Sequence, residues 1–254
     1  MLENYSWKTA EQILREKKIV LIPVGSTEQH GPHLPLGTDF FTARALAESA
    51  AKKANAICTP VIPVGVSSHH RQFWGTLWVS PHIFRQYMYE IALSLGYHGI
   101  SRMIFVNAHG GNFASLQEIS RDLRLKNLHA LVYQWWTDQA VAQLERTLFK
   151  SKGTHAGAIE TSMVLAIRPD LVDTAKYDEA ARGASPEFGI RKFGVQLPVD
   201  TLDFSQSGAT LDPLEASPEA GKQLFDTAEE SLVNLIRWLE HANAKDLEQK
   251  PHKP

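Results

Sequence analysis

Ile19-Val20-Leu21-Ile22-Pro23-Val24-Gly25-Ser26-Thr27-Glu28-Gln29-His30-Gly31-Pro32-His33-Leu34-Pro35-Leu36-Gly37-Thr38-Asp39 is the stretch on which the reading of this chain turns. Its first six residues form an apolar run that reads as a buried strand. Residues 40–55, which follow it, are alanine-rich and read as a helix. Between the two lie Glu28, His30, His33 and Asp39, all side chains that bind metals, with Gln29 as a weaker donor. Glycines and prolines punctuate the loop and hold these groups in place. Open α/β sheets put their chemistry in loops of this kind, at the carboxyl end of a strand.

The pattern repeats outward from there. Residues 8–17 read as a short leading helix, and residues 56–62 as a second strand followed by a polar loop with Ser67, His69, His70 and Arg71. Pro81 opens a helix whose apolar face recurs through Phe84, Met88, Ile91 and Leu95. Residues 102–106 are a third strand, running into Asn107-Ala108-His109-Gly110-Gly111-Asn112 and a helix to about residue 126. Residues 128–135 are a fourth strand, ending in Trp135-Trp136. A helix over 138–149, a loop over 153–157 and a helix over 159–167 complete this part. Alternating strands and helices predict an α/β fold with a mostly parallel sheet covered by helices on both faces. All strand carboxyl ends then share one edge, which collects Glu28, His30 and Asp39, then His69 and His70, then His109, then the tryptophans. Residues 170–218 are rich in Gly, Pro, Ser and Asp and read as irregular with a short hairpin, forming a subunit contact or a flap over the site. Residues 218–241 are a last amphipathic helix. One domain over 1–242 and a disordered tail over 243–254 are expected.

Composition narrows the function. The 254 residues carry a formal charge of −2, which disfavours nucleic acid and anionic membrane surfaces as partners. No apolar run reaches the roughly 20 residues that span a bilayer, and the first 18 residues lack a signal-peptide core. The single cysteine, Cys58, excludes an intrachain disulfide, lies in a strand run and reads as packing; cytoplasm is the expected compartment. The partner expected is a small-molecule substrate.

Glu28, His30, Asp39 and His109 form a mixed oxygen and nitrogen donor set suited to zinc, manganese or iron. Glu28 and His30 are two apart, so both side chains leave an extended segment on the same side. Asp39 begins a helix, where a carboxylate either caps the helix or bridges two cations about 3.5–4 Å apart. Glu160 stands on a mostly apolar helix five residues after His155, where an unpaired carboxylate is costly. His33, His69 and His70 are pocket candidates. Trp135 and Trp136 belong either to a pocket wall or to the core.

Three of these stretches together resemble the creatininase family. Residues 24–39 resemble its first motif, residues 107–112 its second, and His155-Ala156-Gly157 with Glu160-Thr161-Ser162 its third. The resemblance implies a three-layer α/β/α fold, a two-metal hydrolytic centre and a homohexamer. It implies that Glu28, Asp39 and His109 hold one ion, and that His30 and Asp39 hold the other. In creatininase itself a glutamate of the second motif completes the second site. Gly111 stands at that position here, so Glu160 is expected to supply the missing carboxylate and creatinine is disfavoured as substrate. Ser67 aligns with a substrate-contacting serine, and Phe73-Trp74-Gly75-Thr76 implies a bulkier aromatic wall. The substrate-binding set expected is Ser67, His70, Trp74 and Trp136, with His155 and Glu160 as catalytic residues. The activity implied is metal-dependent hydrolysis of an amide or cyclic amide, with His155 protonating the departing nitrogen or positioning the carbonyl. The alternatives are hydrolysis of a C–C bond in a cyclic diketone such as a diketo-inositol, which a pocket with His69, His70, Arg71 and Trp74 favours, and a metal-free binding or scaffolding role.

Overall fold

Both faces of the first strand are buried, and this dictates the layering. In the computed structural model, which describes residues 1–17, 19–150, 155–247 and 250, β1 spans Ile19–Val24. Successive strand residues point to opposite faces. Ile19 and Leu21 join one hydrophobic core, while Val20, Ile22 and Val24 join another. The first core receives α2 (Thr38–Lys53), α5 (Gln139–Leu148), α6 (Ala158–Ile167) and α8 (Pro218–His241). The second receives α1 (Trp7–Glu16), α3 (Pro81–Tyr97) and α4 (Phe113–Arg124). The result is the three-layer α/β/α arrangement that the alternation of elements predicts.

The sheet order is β2-β1-β3-β4, all parallel, with β2 at Ile57–Cys58, β3 at Arg102–Asn107 and β4 at His129–Gln134. β1 and β3 pair from Ile19 beside Arg102 to Val24 beside Asn107, so their carboxyl ends are flush. The order reverses at this pair, and ligand crevices of open α/β sheets form at such reversals. The loops after β1 and β3 both open there.

The structure departs from expectation in three places. The second strand is two residues long, not seven, because Pro60 and Pro63 have no N–H to give the ladder. Pairing returns once, at Ile62, which bridges to Val24. Within residues 170–218, α7 (Tyr177–Gly183) stands before the antiparallel hairpin of β5 (Arg191–Lys192) and β6 (Val195–Gln196). The start of the tail is ordered: α9 (Ala244–Leu247) forms a helical turn, Leu247 is buried, and its carbonyl accepts from Arg124 Nε at 2.7 Å. An apolar anchor and a charged donor there offset the cost of fixing the chain. The rest of the expected tail, 248–249 and 251–254, lies outside the described residues, as does 151–154 of the loop before His155. Among the described residues no helix is long and apolar enough to cross a membrane.

Candidate metal centre

The loop after β1 is closed by its own main chain. Gly25 N–H donates to Ile62 O at 3.0 Å, and Glu28 N–H to Leu36 O at 2.9 Å. This brings Glu28, His30 and Asp39 together under the end of the sheet, all almost completely buried. Asp39 lies in the first turn of α2 but does not cap it; the cap position is Gly37, with no side-chain hydrogen bond. Instead the two oxygens of Asp39 face different imidazoles: Oδ1 is 3.1 Å from His30 Nε2, and Oδ2 is 3.3 Å from His109 Nδ1. Glu28 Oε1 lies 3.1 Å from His109 Nδ1 and 3.4 Å from His70 Nε2. From α6, Glu160 Oε2 comes within 3.7 Å of His30 Nε2 and accepts from Ala156 N–H at 2.6 Å.

The outer nitrogens of the imidazoles reveal what the inner ones are for. His30 Nδ1 donates to the Glu28 carbonyl at 3.2 Å, His109 Nε2 to the Val66 carbonyl at 3.0 Å, and His155 Nε2 to the Gln29 carbonyl at 3.0 Å. A carbonyl only accepts, so each neutral ring carries its hydrogen on the outside and turns a lone pair inward. Those lone pairs meet three carboxylates. Glu28 Oε1, His30 Nε2 and Asp39 Oδ2 are buried without a hydrogen-bond partner. Lone pairs and anionic oxygens packed against one another repel unless positive charge lies among them. Two groups of donor atoms have the spacing for this, Glu28 with Asp39 and His109, and His30 with His155 and Glu160; within each the atoms lie within 4.8 Å of one another. This donor set fits divalent cations.

The electrostatics show how strongly these carboxylates draw positive charge, here as protons on the facing imidazoles. Burial opposes ionisation of Glu28, yet the facing His109 and His70 hold its carboxyl well below the usual range. Burial lowers His30 and His109, but Asp39 overrides it at His30, raising it to about 10, and Glu28 overrides it at His109. Glu160 is pushed up to about 7 by burial, against the opposing pull of His30. Burial and the neighbouring His30 lower His155 to about 3, leaving its ring neutral.

A cavity of about 700 Å³ opens over this cluster. Glu28, Asp39, His70, His109, His155 and Glu160 form its floor, and His69, Gly111 and Trp136 its sides. The remaining wall is the chain around the β5–β6 hairpin: Phe188, Leu197, Val199, Thr201 and Phe204. That segment was expected to be a flap or a subunit contact, and it walls the cavity. Its individual residues were not anticipated, although apolar side chains scattered among Gly and Pro were the signal.

Several expected site residues stand elsewhere. Trp74 is 98% exposed and lines a separate surface cleft with Leu36 and Phe73. Glycine at position 75, in a left-handed turn, directs the loop outward. Ser67 is fully buried beneath the floor; its hydroxyl hydrogen-bonds Ser26 Oγ, which donates to Glu28 Oε2 at 3.1 Å, so it braces the floor instead of facing the cavity. His33 turns away, with Nε2 at 2.9 Å from Thr161 Oγ1 and its ring edge-on to Tyr177. Of the tryptophan pair, Trp136 lines the cavity and Trp135 is core. Gln29 uses its amide to hold its neighbours. At Gly111 a Cβ would fall against the Val66 carbonyl oxygen and the His109 ring. The turn therefore has no room for a carboxylate side chain, whereas Glu160 reaches the cluster beside His30.

A family profile described as creatinine amidohydrolase matches residues 3–236. A mycofactocin precursor peptide peptidase of Mycobacterium ulcerans is 30% identical over 250 residues, covering 94% of this chain and 92% of that protein. A 3-dehydro-scyllo-inosose hydrolase of Thermotoga maritima is 27% identical over 252 residues, covering 94% and 80%. A solved structure of a creatininase mutant in a zinc–zinc form superimposes at a TM-score of 0.77 with 25% identity, covering 92% of this chain and 96% of that one.

Proposed function

Because the chain belongs to the creatininase family, we propose that it is a hydrolase that works with two divalent cations and cleaves a carbon–nitrogen bond of an amide or cyclic amide. Glu28, Asp39 and His109 would hold one ion; His30, Asp39 and Glu160 would hold the other, with Asp39 shared, which leaves His155, also within reach of His30 and Glu160, for proton transfer. Zinc, manganese and iron all suit these donors. When bound, such ions polarise the scissile carbonyl and lower the pKa of water. The observation that carries the reading is the inward convergence of three imidazoles on three carboxylates, two of them fully buried.

The chain's own groups do the rest. His155 Nδ1 is unprotonated and faces the cluster, 4.0 Å from Glu28 Oε1. It is placed to take a proton from the attacking water and return it to the departing nitrogen, so it acts first as base and then as acid. Its outer N–H, held by the Gln29 carbonyl, keeps the ring aligned through both transfers. Phe188, Leu197, Val199 and Phe204 exclude bulk water from the floor. Among the described residues no lysine or arginine lines the cavity, which favours an uncharged substrate over a phosphorylated one.

A second reading is hydrolysis of a C–C bond in a cyclic diketone. The polar flank of the cavity, His69, His70, Gln196 and Thr201, supports it by offering partners to ring hydroxyls, as does the likeness to the inosose hydrolase. The chain is taken as one domain over 1–242, working in the cytoplasm as a homohexamer. Exposed apolar side chains such as Trp74, Leu77, Trp78 and Tyr87 support self-association. Metal analysis of protein purified without chelator, with hydrolysis of a panel of lactams, formamides, small peptides and cyclic ketones by the zinc- and manganese-loaded forms, tests the proposal. More than one ion per chain and turnover of an amide are expected. Protein that takes up no metal would instead leave the scaffolding role.

A further inference from the structure

Four buried imidazoles surround the cavity floor, and one is built differently. His30, His109 and His155 each have a main-chain carbonyl behind them. His70 has none: its outer nitrogen, Nδ1, lies 2.8 Å from Gln29 Nε2 and 2.8 Å from Thr201 Oγ1. The orientation of the Gln29 amide is set by two main-chain groups of unambiguous polarity. Gly31 N–H donates to Gln29 Oε1 at 2.9 Å, and the Gly208 carbonyl accepts from Nε2 at 3.0 Å. One amide hydrogen is thereby committed to Gly208. The second has two nitrogens in reach, His70 Nδ1 at 2.8 Å and His155 Nε2 at 2.9 Å. His155 Nε2 already carries the hydrogen it gives to the Gln29 carbonyl, so it cannot accept. The second hydrogen goes to His70. Its Nδ1 is then the lone pair, and its Nε2 carries the hydrogen.

We propose that His70 presents an N–H to the oxygen of the substrate's scissile carbonyl and is not a metal ligand, and that Gln29 is the positioning residue that sets this tautomer. The proposal deepens the hydrolase reading above and rests on it. By distance alone His70 would form a third donor group with Glu28 and His155, but a protonated nitrogen has no lone pair for a cation. Its Nε2 lies 3.4 Å from Glu28 Oε1 and the ring lines the cavity. The N–H therefore stands beside the proposed ions, where a carbonyl oxygen gains charge during attack and a fixed donor lowers the barrier. The site is built around the amide: Gly208 sits at φ +81°, and a Cβ there would collide with Gln29.

The test uses zinc-loaded protein labelled with ¹⁵N-histidine, read by long-range proton–nitrogen correlation. The expected spectrum shows one ring with its hydrogen on Nε2, a bare Nδ1 and no zinc contact, and this ring disappears in His70→Asn. That variant should keep the full zinc stoichiometry. Acetate, which carries the carboxylate of an amide-hydrolysis product, should shift the His70 Nε2–H resonance as it binds. Gln29→Glu replaces the amide donor by an acceptor of the same shape and should move the hydrogen to Nδ1. Should that variant fail to fold, the wild-type spectrum and His70→Asn decide. Hydrogen on Nδ1 in the wild type, loss of a zinc equivalent in His70→Asn, or acetate binding that leaves the His70 resonance unmoved would each overturn the proposal. Failure of the wild type to take up zinc overturns the hydrolase reading instead; the spectrum without zinc still decides the tautomer.

Discussion

The loop over residues 25–39 and the segment over 188–204 bound the same cavity and are built in opposite ways. The first is buried, with Ser26, Glu28, Gln29, His30, Thr38 and Asp39 almost wholly shielded and its main chain tied to Ile62, Leu36 and Thr76. The second is a two-pair hairpin whose Arg191, Lys192, Val195 and Gln196 are exposed, with Phe193 fully in solvent at the tip. It is tied down mainly by the Asp200 carboxylate, which takes Arg71 and Gln72, and by Thr201 against His70. The contrast teaches a division of labour. Groups that hold charge need sub-ångström placement and sit on rigid structure, whereas a wall that selects substrate tolerates adjustment.

The strongest break of this comparison is Asp39→Ala. Its two oxygens face His30 and His109 separately, so both ions should be lost, and turnover with them by roughly a thousandfold or more. His30→Ala should lose mainly one. Calorimetric metal titration of the two variants checks this; equal stoichiometry in both would mean that Asp39 is not shared. Next comes Glu160→Gln, which keeps shape and removes charge. Metal affinity should fall about 10–100-fold and excess manganese should recover part of the rate. Full occupancy at limiting, chelator-buffered metal would assign Glu160 to orienting the His155 turn alone.

Gly111→Glu sharpens the comparison from the rigid side. Although it introduces the carboxylate that the family resemblance implies at this position, its Cβ meets the Val66 carbonyl oxygen and the His109 ring. The variant should lose about 1–3 kcal/mol of stability and bind metal less well, not better. Thermal melting and metal analysis would show it, and an unchanged melting temperature with a gain in affinity would be the contrary result. On the adaptable side, Phe204→Ala should leave metal content intact and raise KM roughly tenfold, the worth of a lost apolar contact to substrate. A loss of metal in that variant would mean the wall also supports the floor. Smallest of all is Asp200→Asn, which weakens the tie to Arg71. The melting point should fall by no more than a few degrees, about what an exposed pair contributes, while trypsin cleavage after Arg191 or Lys192 accelerates. Cleavage at the wild-type rate would show that the hairpin is held by something else.

The same contrast marks where sequence reading succeeds. β1, β3, β4 and the long helices were legible because hydrophobic period and local punctuation are short-range signals. So were Glu28, His30, Asp39 and His109 as one cluster, since strand–loop–helix units place loop residues on a shared edge whatever the details; Glu160, on a helix, joined them only through the family resemblance. The brevity of β2 was also written in Pro60 and Pro63, and the expectation of seven residues overlooked it. The exile of Trp74 was not legible, because an exposed and a cavity-facing tryptophan share the same local pattern; only the path of the loop through Gly75 separates them.

Residue types and spacing therefore determined the layers, the cavity edge and four of the donors, Glu28, His30, Asp39 and His109, by themselves, because each depends on neighbours within a few residues or on strand order. At His30 the outer partner is the Glu28 carbonyl two residues away, but at His70, His109 and His155 tertiary structure alone decided which nitrogen faces inward. That choice depends on a carbonyl or amide brought from far along the chain: Val66 behind His109, Gln29 behind His155, and Gly208, 179 residues beyond Gln29, fixing the amide that sets His70. A hydrogen bond made after folding carries no trace in local sequence, and here such bonds separate the rings that turn a lone pair inward from the one that turns an N–H.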